Sequence, residues 1–193
     1  MAPKTPYFLV PFVVGYLADQ GTKQWIIDSL HYGAVREVIP GFFDLTHVRN
    51  PGGAWSLFAQ SDASLRIPFF VGAAVLAVAL LLYFFRRLEP DMKLSALSLG
   101  MVLAGALGNL TDRLRHGEVV DFLSFHLPFD YTFPTFNVAD SLIVVGVTVL
   151  MIETFFEPGP ETELAHEGDD APEPVDDAGR AAMSEAPARD SAA

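Results

Sequence analysis

Four long apolar segments alternate with polar connections along the chain. They lie at about 7–27, 67–85, 94–111 and 136–152. The second and third contain no charged residue, whereas a helix on the surface of a soluble protein keeps one polar face. About 20 apolar residues suffice to cross the hydrocarbon core of a bilayer. The pattern therefore predicts an all-α membrane protein, with a four-helix transmembrane bundle.

The connections differ in length and character. A short charged turn at 86–93 joins the second and third segments, and residues 28–66 form a long polar and aromatic connection. Within the latter, Phe42–Arg49 and Ala54–Phe58 are predicted strands around a glycine-rich turn. We expect a small β-rich segment on the membrane surface. Residues 113–135 are predicted to be a second connection on that side.

Charge separates the chain into a body and a tail. Residues 157–193 contain 11 acidic and 2 basic residues, and residues 1–156 contain 13 acidic and 10 basic residues. The tail is therefore predicted to be a disordered, acidic segment, and residues 1–156 a single membrane domain. No basic cluster predicts a nucleic-acid partner.

The composition also limits the chemistry. The chain contains no cysteine, which excludes disulfides, thiolate nucleophiles and cysteine-ligated metals. Its five histidines show no metal-ligand spacing. We expect neither a metal nor a cofactor.

Polar residues in or beside the apolar segments gather on one side of the predicted bundle. With four spans, the end of the first, the end of the third and the start of the fourth share a face. The residues that this places together are Asp19, Lys23, Asn50, Asn109, Asp112, Arg113, Asp121, Asn137 and Asp140. Basic residues flank both sides, so charge alone does not orient the chain.

The third segment carries a mixed stripe of small and polar residues. Gly105, Gly108, Asn109 and Asp112 follow a spacing of i, i+3, i+4 and i+7, which places them on one helix face. Glycines there let a neighbouring helix approach closely. A packing seam that ends in capping residues is the alternative interpretation.

Two aspartates are candidates for chemistry. Asp140 lies near the start of the fourth segment, where an ionisable residue needs a partner or a function; an ion pair with an arginine is the alternative. Asp121 lies between apolar residues in a predicted loop that folds back over the bundle. Two adjacent carboxyl groups share one proton, so that one activates water and the other acts as an acid.

Two further features have simpler interpretations. Asp19 and Lys23 have the i, i+4 spacing of a helix-stabilising ion pair, which is the preferred interpretation. Asn50 is a turn residue or a group that reaches the site.

Five segments together resemble the type II, or lipoprotein, signal peptidases. They are residues 19–23 (DQGTK), 50–55 (NPGGAW), 105–113 (GALGNLTDR), 119–122 (VVDF) and 136–140 (FNVAD). Ala104 replaces a glycine common in the family, and Trp55 stands where phenylalanine is common.

The resemblance implies an aspartic endopeptidase of the bacterial plasma (inner) membrane. Its substrates would be prolipoproteins with a diacylglyceryl-modified cysteine, cut just before that cysteine. Both termini would be cytoplasmic, and the site would face outward. The β-rich surface segment 28–66 would then be extracytoplasmic and the acidic tail 157–193 cytoplasmic. The catalytic pair would be Asp121 and Asp140. The supporting or substrate-binding residues would be Asn50, Gly52, Asn109, Asp112, Arg113 and Asn137, with Asp19, Lys23, Gly105 and Gly108 nearby.

The implied partners are prolipoproteins and membrane lipid, and a monomer is expected. Two other classes are weighed against this hypothesis. A transporter would relay protons through Asp112, Asp121 and Asp140, but it predicts carboxylates at mid-membrane and repeated halves. A scaffold protein would tolerate Asp→Asn changes at the same positions.

Overall fold

The computed structural model describes residues 4–52, 62–129 and 131–156. Its elements are, in order, α1 (Lys4–Ser29), β1 (Val35–Ile39), β2 (Phe43–Asn50), α2 (Ala63–Arg87), α3 (Lys93–His116), β3 (Val119–Leu127), β4 (Tyr131–Thr132) and α4 (Val138–Phe156). The predicted strand Ala54–Phe58 and the predicted acidic tail lie outside the described residues.

Each predicted apolar segment coincides with a helix, but the four helices are not equivalent. Among the described residues, α2, α3 and α4 are long and apolar enough to cross a membrane. Helix α1 does not belong to that set, and it carries Asp19 and Lys23 in its second half. The fold is therefore mainly helical with three candidate spans, and the fourth span remains a prediction.

Helix α3 extends beyond its predicted end at residue 111. It stops at Gly117, whose φ of 74° is left-handed and whose N–H bonds to Arg113 O. Glycine adopts this conformation without the steric cost of a side chain. Basic residues in the last turn also stabilise the helix, because the C-terminal end of the helix dipole is negative. As a result, Asp112 and Arg113 lie within the helix rather than after it.

A four-stranded antiparallel sheet in the order β1-β2-β3-β4 adjoins the helices. Strand β2 begins and ends within one residue of the predicted strand Phe42–Arg49. The stretch 113–135 does connect α3 to α4 as predicted, but it also contains β3 and β4, which the sequence did not predict. Between the pairs Leu45↔Leu123 and Val48↔Asp121, the β2–β3 register shifts at a β-bulge.

Two buried apolar clusters hold these elements together. Phe8 of α1 packs on Ala96, Leu99 and Leu103 of α3. The second cluster lies where α1 meets the sheet and consists of Ile26, Val120 and Phe122. Because Asp121 lies between two residues of the second cluster, its strand is anchored on both sides of the carboxyl group.

Candidate active site

Asp121 is a strand residue, not the loop residue that the sequence predicted. It lies opposite Val48 in the β2–β3 register and is only 3% exposed. Asn50 Nδ2 donates to Asp121 Oδ2 at 3.0 Å, and Asn137 Nδ2 donates to Asp121 Oδ1 at 2.7 Å. Both oxygens of this carboxyl group are therefore fixed by amide donors.

Asp140 lies in the first turn of α4 and forms a reciprocal cap with Asn137. Its backbone N–H donates to Asn137 Oδ1 at 3.0 Å, and its Oδ2 accepts the backbone N–H of Asn137 at 3.2 Å. This is the geometry of a capping box. Asn109 Nδ2 donates to Asp140 Oδ1 at 2.8 Å. Both oxygens of the Asp140 carboxyl group therefore accept hydrogen bonds.

Asn137 connects the two aspartates, since its side-chain amide bonds to Asp121 and its backbone N–H bonds to Asp140. Asn137 is completely buried. Burial and the neighbouring charge of Asp140 raise the pKa of Asp121 to about 7, against the opposing effect of hydrogen bonds from Asn50 and Asn137. Asp121 therefore gains and loses a proton near neutral pH, beside the carboxyl group of Asp140.

The predicted ion pair between Asp19 and Lys23 is present, and it belongs to a larger buried network. Lys23 Nζ lies 2.9 Å from Asp19 Oδ2 and 2.8 Å from Asp112 Oδ2. It also donates to Asn109 Oδ1 at 3.0 Å. Asp19 Oδ1 accepts the backbone N–H of Ala139 at 2.9 Å. The network therefore joins α1 to α3 and to the start of α4.

Asp112 bonds within this network. Besides Lys23, it accepts a hydrogen bond from Gln20 Nε2 at 3.2 Å and one from the backbone N–H of Val120 at 3.1 Å. The second of these ties α3 to the residue before Asp121. These contacts place Asp112 as a support for β3 rather than as a partner of Asp140.

Arg113 borders the site from α3. Its guanidinium donates to Gly52 O at 3.2 Å and to Asn109 O at 3.4 Å, and lies over the Phe70 ring at 4.7 Å. Gly52 in turn donates its N–H to Asn50 Oδ1 at 3.0 Å. Arg113 thereby fixes the backbone that follows β2. Through Gly52 it also supports the side chain of Asn50, which contacts Asp121.

Two of the predicted glycines bring the helices close together. A Cβ atom at Gly105 would collide with the carbonyl oxygen of Ala139, and one at Gly108 would collide with the carboxylate of Asp19. The close approach that the sequence predicted for this stripe is therefore real, and its partners are α4 and α1.

Sequence reasoning did not assign a site role to three kinds of contact. Gln20 bonds to Asp19, Gly108 O and Asp112, and its signals were its polar side chain within an apolar helix and its place in the matching segment 19–23. Phe70 gave no signal at all. The backbone donors of Val120 and Ala139 have no side-chain signature, so a sequence does not reveal them.

Other concave features lie elsewhere. One cavity of about 370 Å³ is lined by Glu37, Gly41, Asp44, His126, Leu127, Tyr131 and Thr132. A second, of about 310 Å³, lies between the end of α1 and His47. Neither contains Asp121 or Asp140. Within the described ranges, no group of three or more His, Asp or Glu side chains is placed to hold a metal ion.

Comparison with known proteins identifies the family. The profile of the Signal peptidase (SPase) II family matches residues 12–156. The chain belongs to the signal peptidase II family. It is therefore a peptidase of a bacterial membrane, as the five sequence segments indicated.

Individual relatives agree with this membership. The lipoprotein signal peptidase of Syntrophotalea carbinolica is 46% identical over 134 residues, which cover 69% of this chain and 81% of that protein. The lipoprotein signal peptidase of Geobacter metallireducens is 39% identical over 153 residues, covering 79% of this chain and 93% of that protein.

Solved structures support the fold. A bacterial membrane enzyme determined by the in meso method at 1.9 Å resolution superposes with a TM-score of 0.71 at 32% identity. The match covers 82% of this chain and 99% of the chain of that enzyme. A second such enzyme, at 2.3 Å resolution, gives a TM-score of 0.69 at 30% identity.

Proposed function

We propose that the chain is an aspartic endopeptidase that removes the signal peptide from diacylglyceryl-modified prolipoproteins. In this proposal it cuts just before the lipid-modified cysteine, with water activated between Asp121 and Asp140. The observation that carries the proposal is the attachment of two carboxyl groups, the buried one of Asp121 and the half-buried one of Asp140, to the one residue Asn137. The lipoprotein signal peptidases among its relatives supply the substrate class.

The two carboxyl groups take different roles in the proposed reaction. Asp140 faces donors and acts as the base, while Asp121, with a pKa raised to about 7, supplies the proton. Water transfers a proton to Asp140 as its oxygen bonds to the scissile carbonyl carbon. Asp121 protonates the carbonyl oxygen at the same time, which gives a neutral tetrahedral intermediate.

Collapse of that intermediate breaks the C–N bond. The amine nitrogen takes the proton held by Asp140, and the hydroxyl proton returns to Asp121. The pair thus ends with the single proton with which it began. This cycle needs one proton on the pair, so both the doubly protonated and the doubly ionised forms are inactive.

The surroundings of the pair suit a substrate that arrives from the bilayer. Among the described residues, none in the apolar stretch of α2 is fully buried by the rest of the chain, and apolar side chains such as Leu76 and Val75 are exposed. A bilayer covers such surfaces. We place α1 with α2–α4 as a fourth span, with both termini cytoplasmic and the sheet outside the inner membrane.

The test of this function is the cleavage of a synthetic lipopeptide with a diacylglyceryl-modified cysteine, followed by mass spectrometry. Asp121→Asn and Asp140→Asn should each reduce kcat by about 100-fold or more, since each removes an acid–base group. Asp91→Asn, at an exposed position in the turn before α3, is the matched control and should cleave at the wild-type rate.

The substrate arm of the experiment uses the same peptide without its lipid, which should remain uncut. Wild-type activity in both dyad variants would contradict the mechanism and favour a scaffold. Asp112→Asn tests the other possible pairing: if it alone abolished cleavage while Asp121→Asn did not, Asp112 would replace Asp121 in the proposal.

A further inference from the structure

The two hairpin turns of the sheet lie side by side at one end of it. The backbone N–H of His126 donates to Phe42 O at 2.8 Å, which joins the end of β3 to the turn between β1 and β2. Strand β4 pairs with the same end of β3 through Tyr131 and Leu127. Both turns therefore meet at the end of the sheet that lies away from Asp121.

Large apolar side chains gather at this end of the sheet and remain exposed. We call them the apolar rim; they are Val38, Ile39, Phe42, Leu127, Phe129 and Tyr131, and each is at least 41% exposed. Turns that face water are usually built from Gly, Pro, Asn, Asp and Ser, whereas both of these turns carry a phenylalanine. Contiguous exposed apolar patches mark a binding surface or a membrane contact.

Phe129 gives separate evidence that the rim has a partner outside the chain. Its side chain is fully exposed, so it contributes little to the packing of the fold. Its φ of 69° lies in the left-handed region, which glycine or asparagine occupies more readily than a bulky residue does. Among the described residues, it is the only non-glycine with a positive φ. A phenylalanine at this position is explained by a contact that the folded chain itself does not supply.

The attachment of the sheet to α4 limits how far the apolar rim lies from the membrane. Leu123 and Phe136 exchange two backbone hydrogen bonds, of 2.8 and 3.1 Å, just before α4 begins at Val138. Leu127 follows four residues after Leu123 on β3, a distance of about 14 Å along an antiparallel strand. The rim is therefore close to the start of a helix that is long and apolar enough to cross a membrane.

A bilayer is the partner that this position supplies. The chain is a peptidase of a bacterial membrane, so lipid surrounds the membrane-crossing helices, and the sheet follows them directly. A sheet that stood upright on the membrane would hold the apolar rim in water. A sheet that lies along the surface places the rim at the interface, where tyrosine is enriched and apolar side chains of surface-bound segments enter the acyl boundary.

We propose that the apolar rim is a membrane anchor: both hairpin turns insert into the lipid interface and hold the sheet along the bilayer surface. The partner is the phospholipid surface itself, not the substrate and not a second copy of this chain. The anchor thereby fixes the height of β3, and with it that of Asp121, relative to the lipid. The inference rests on the membrane location of the family and not on the proposed cleavage reaction.

Because the chain contains no cysteine, a single spin label can report where the apolar rim lies. Phe129→Cys and Phe42→Cys each place a label on one hairpin turn, and Arg36→Cys, at an exposed polar position of β1, is the matched control. The full chain is labelled and reconstituted without substrate into vesicles of phosphatidylethanolamine and phosphatidylglycerol. Power-saturation EPR then compares how often each label collides with oxygen, which concentrates in lipid, and with a water-soluble nickel chelate.

At both turns, the ratio of oxygen accessibility to nickel accessibility should exceed the ratio at Arg36→Cys severalfold. A ratio at either turn equal to that of the control would place the rim in water and overturn the proposal. Low accessibility to both reagents would mean that protein covers the label, as in a contact between two copies of the chain, and would overturn it equally. Since no substrate is present, these results do not depend on whether the protein cuts the lipopeptide.

Discussion

A single asparagine sets the geometry of the candidate site. Asn137 caps α4 with its Oδ1, and its Nδ2 bonds to Asp121 and to Asn109. The cap stabilises α4, whereas the Nδ2 contacts hold the Asp121 carboxyl group and the Asn109 amide in place. Because these tasks use different atoms of one side chain, a substitution can separate them.

Asn137→Ser should keep the cap and lose the bridge. Serine is a good N-cap residue, whereas alanine at such a position costs about 1 kcal/mol of stability. We therefore expect a near-normal melting temperature with strongly reduced cleavage for Asn137→Ser, and losses in both for Asn137→Ala. Calorimetry and the lipopeptide assay on the same preparations measure the two effects. Full activity in Asn137→Ser would show that the bridge is dispensable.

The raised pKa of Asp121 predicts how activity depends on pH. Since burial and the charge of Asp140 bring this pKa to about 7, Asp121, the acid in the proposed reaction, loses its proton as the pH rises through that value. The rate of cleavage should therefore fall above about pH 7, where an unperturbed aspartate, with a pKa of 3.8, would already be inactive. A rate that stayed constant to pH 9 would exclude Asp121 as the acid.

At the level of elements, close contact between α3 and α4 depends on glycine, which has no side chain. Gly105→Ala should destabilise the fold by about 1–3 kcal/mol, the usual cost of overpacking, because its Cβ meets the backbone of Ala139. Gly72→Ala is the control, since nothing lies within 4 Å of its Cβ position in α2. Thermal unfolding in detergent compares the two, and equal melting temperatures would contradict the close contact.

The helices were predictable from the sequence because hydropathy is a local signal. Strand β3 was not, since all of its first four residues, Val119–Phe122, are buried, and a strand covered on both faces loses the alternation that reveals a half-buried one. The missed strand had a consequence at the site, because Asp121 was expected in a loop.

The candidate site residues were predictable as a set, but their bonds were not. The alternating direction of four predicted spans placed the polar residues on one side. The i, i+4 spacing predicted the contact between Asp19 and Lys23. The links from Lys23 to Asn109 and from Asp112 to Val120 join distant parts of the chain or use backbone donors. Such contacts depend on the register of the sheet and on how the helices pack.

At the scale of the whole molecule, the absence of cysteine makes the proposed orientation directly testable. Single cysteines placed at Arg36 in β1 and at Glu89 in the turn before α3 are both at exposed positions. A membrane-impermeant maleimide added to intact spheroplasts should label Arg36→Cys, and label Glu89→Cys only after lysis. The reverse labelling pattern would mean that the chain has the opposite orientation in the membrane, with the candidate site on the cytoplasmic side.

The bulge in β2 has a consequence for how this chain tolerates insertions and deletions. Asn50 pairs with Val119, which makes Asp121 its diagonal neighbour on the same face of the sheet. Without the one-residue offset, that diagonal neighbour would be Val120, whose apolar side chain cannot accept a hydrogen bond from the Asn50 amide. The one-residue offset in β2 thus determines which side chain of β3 meets Asn50. Deletion of one residue at the bulge would remove this amide from Asp121 without changing either aspartate.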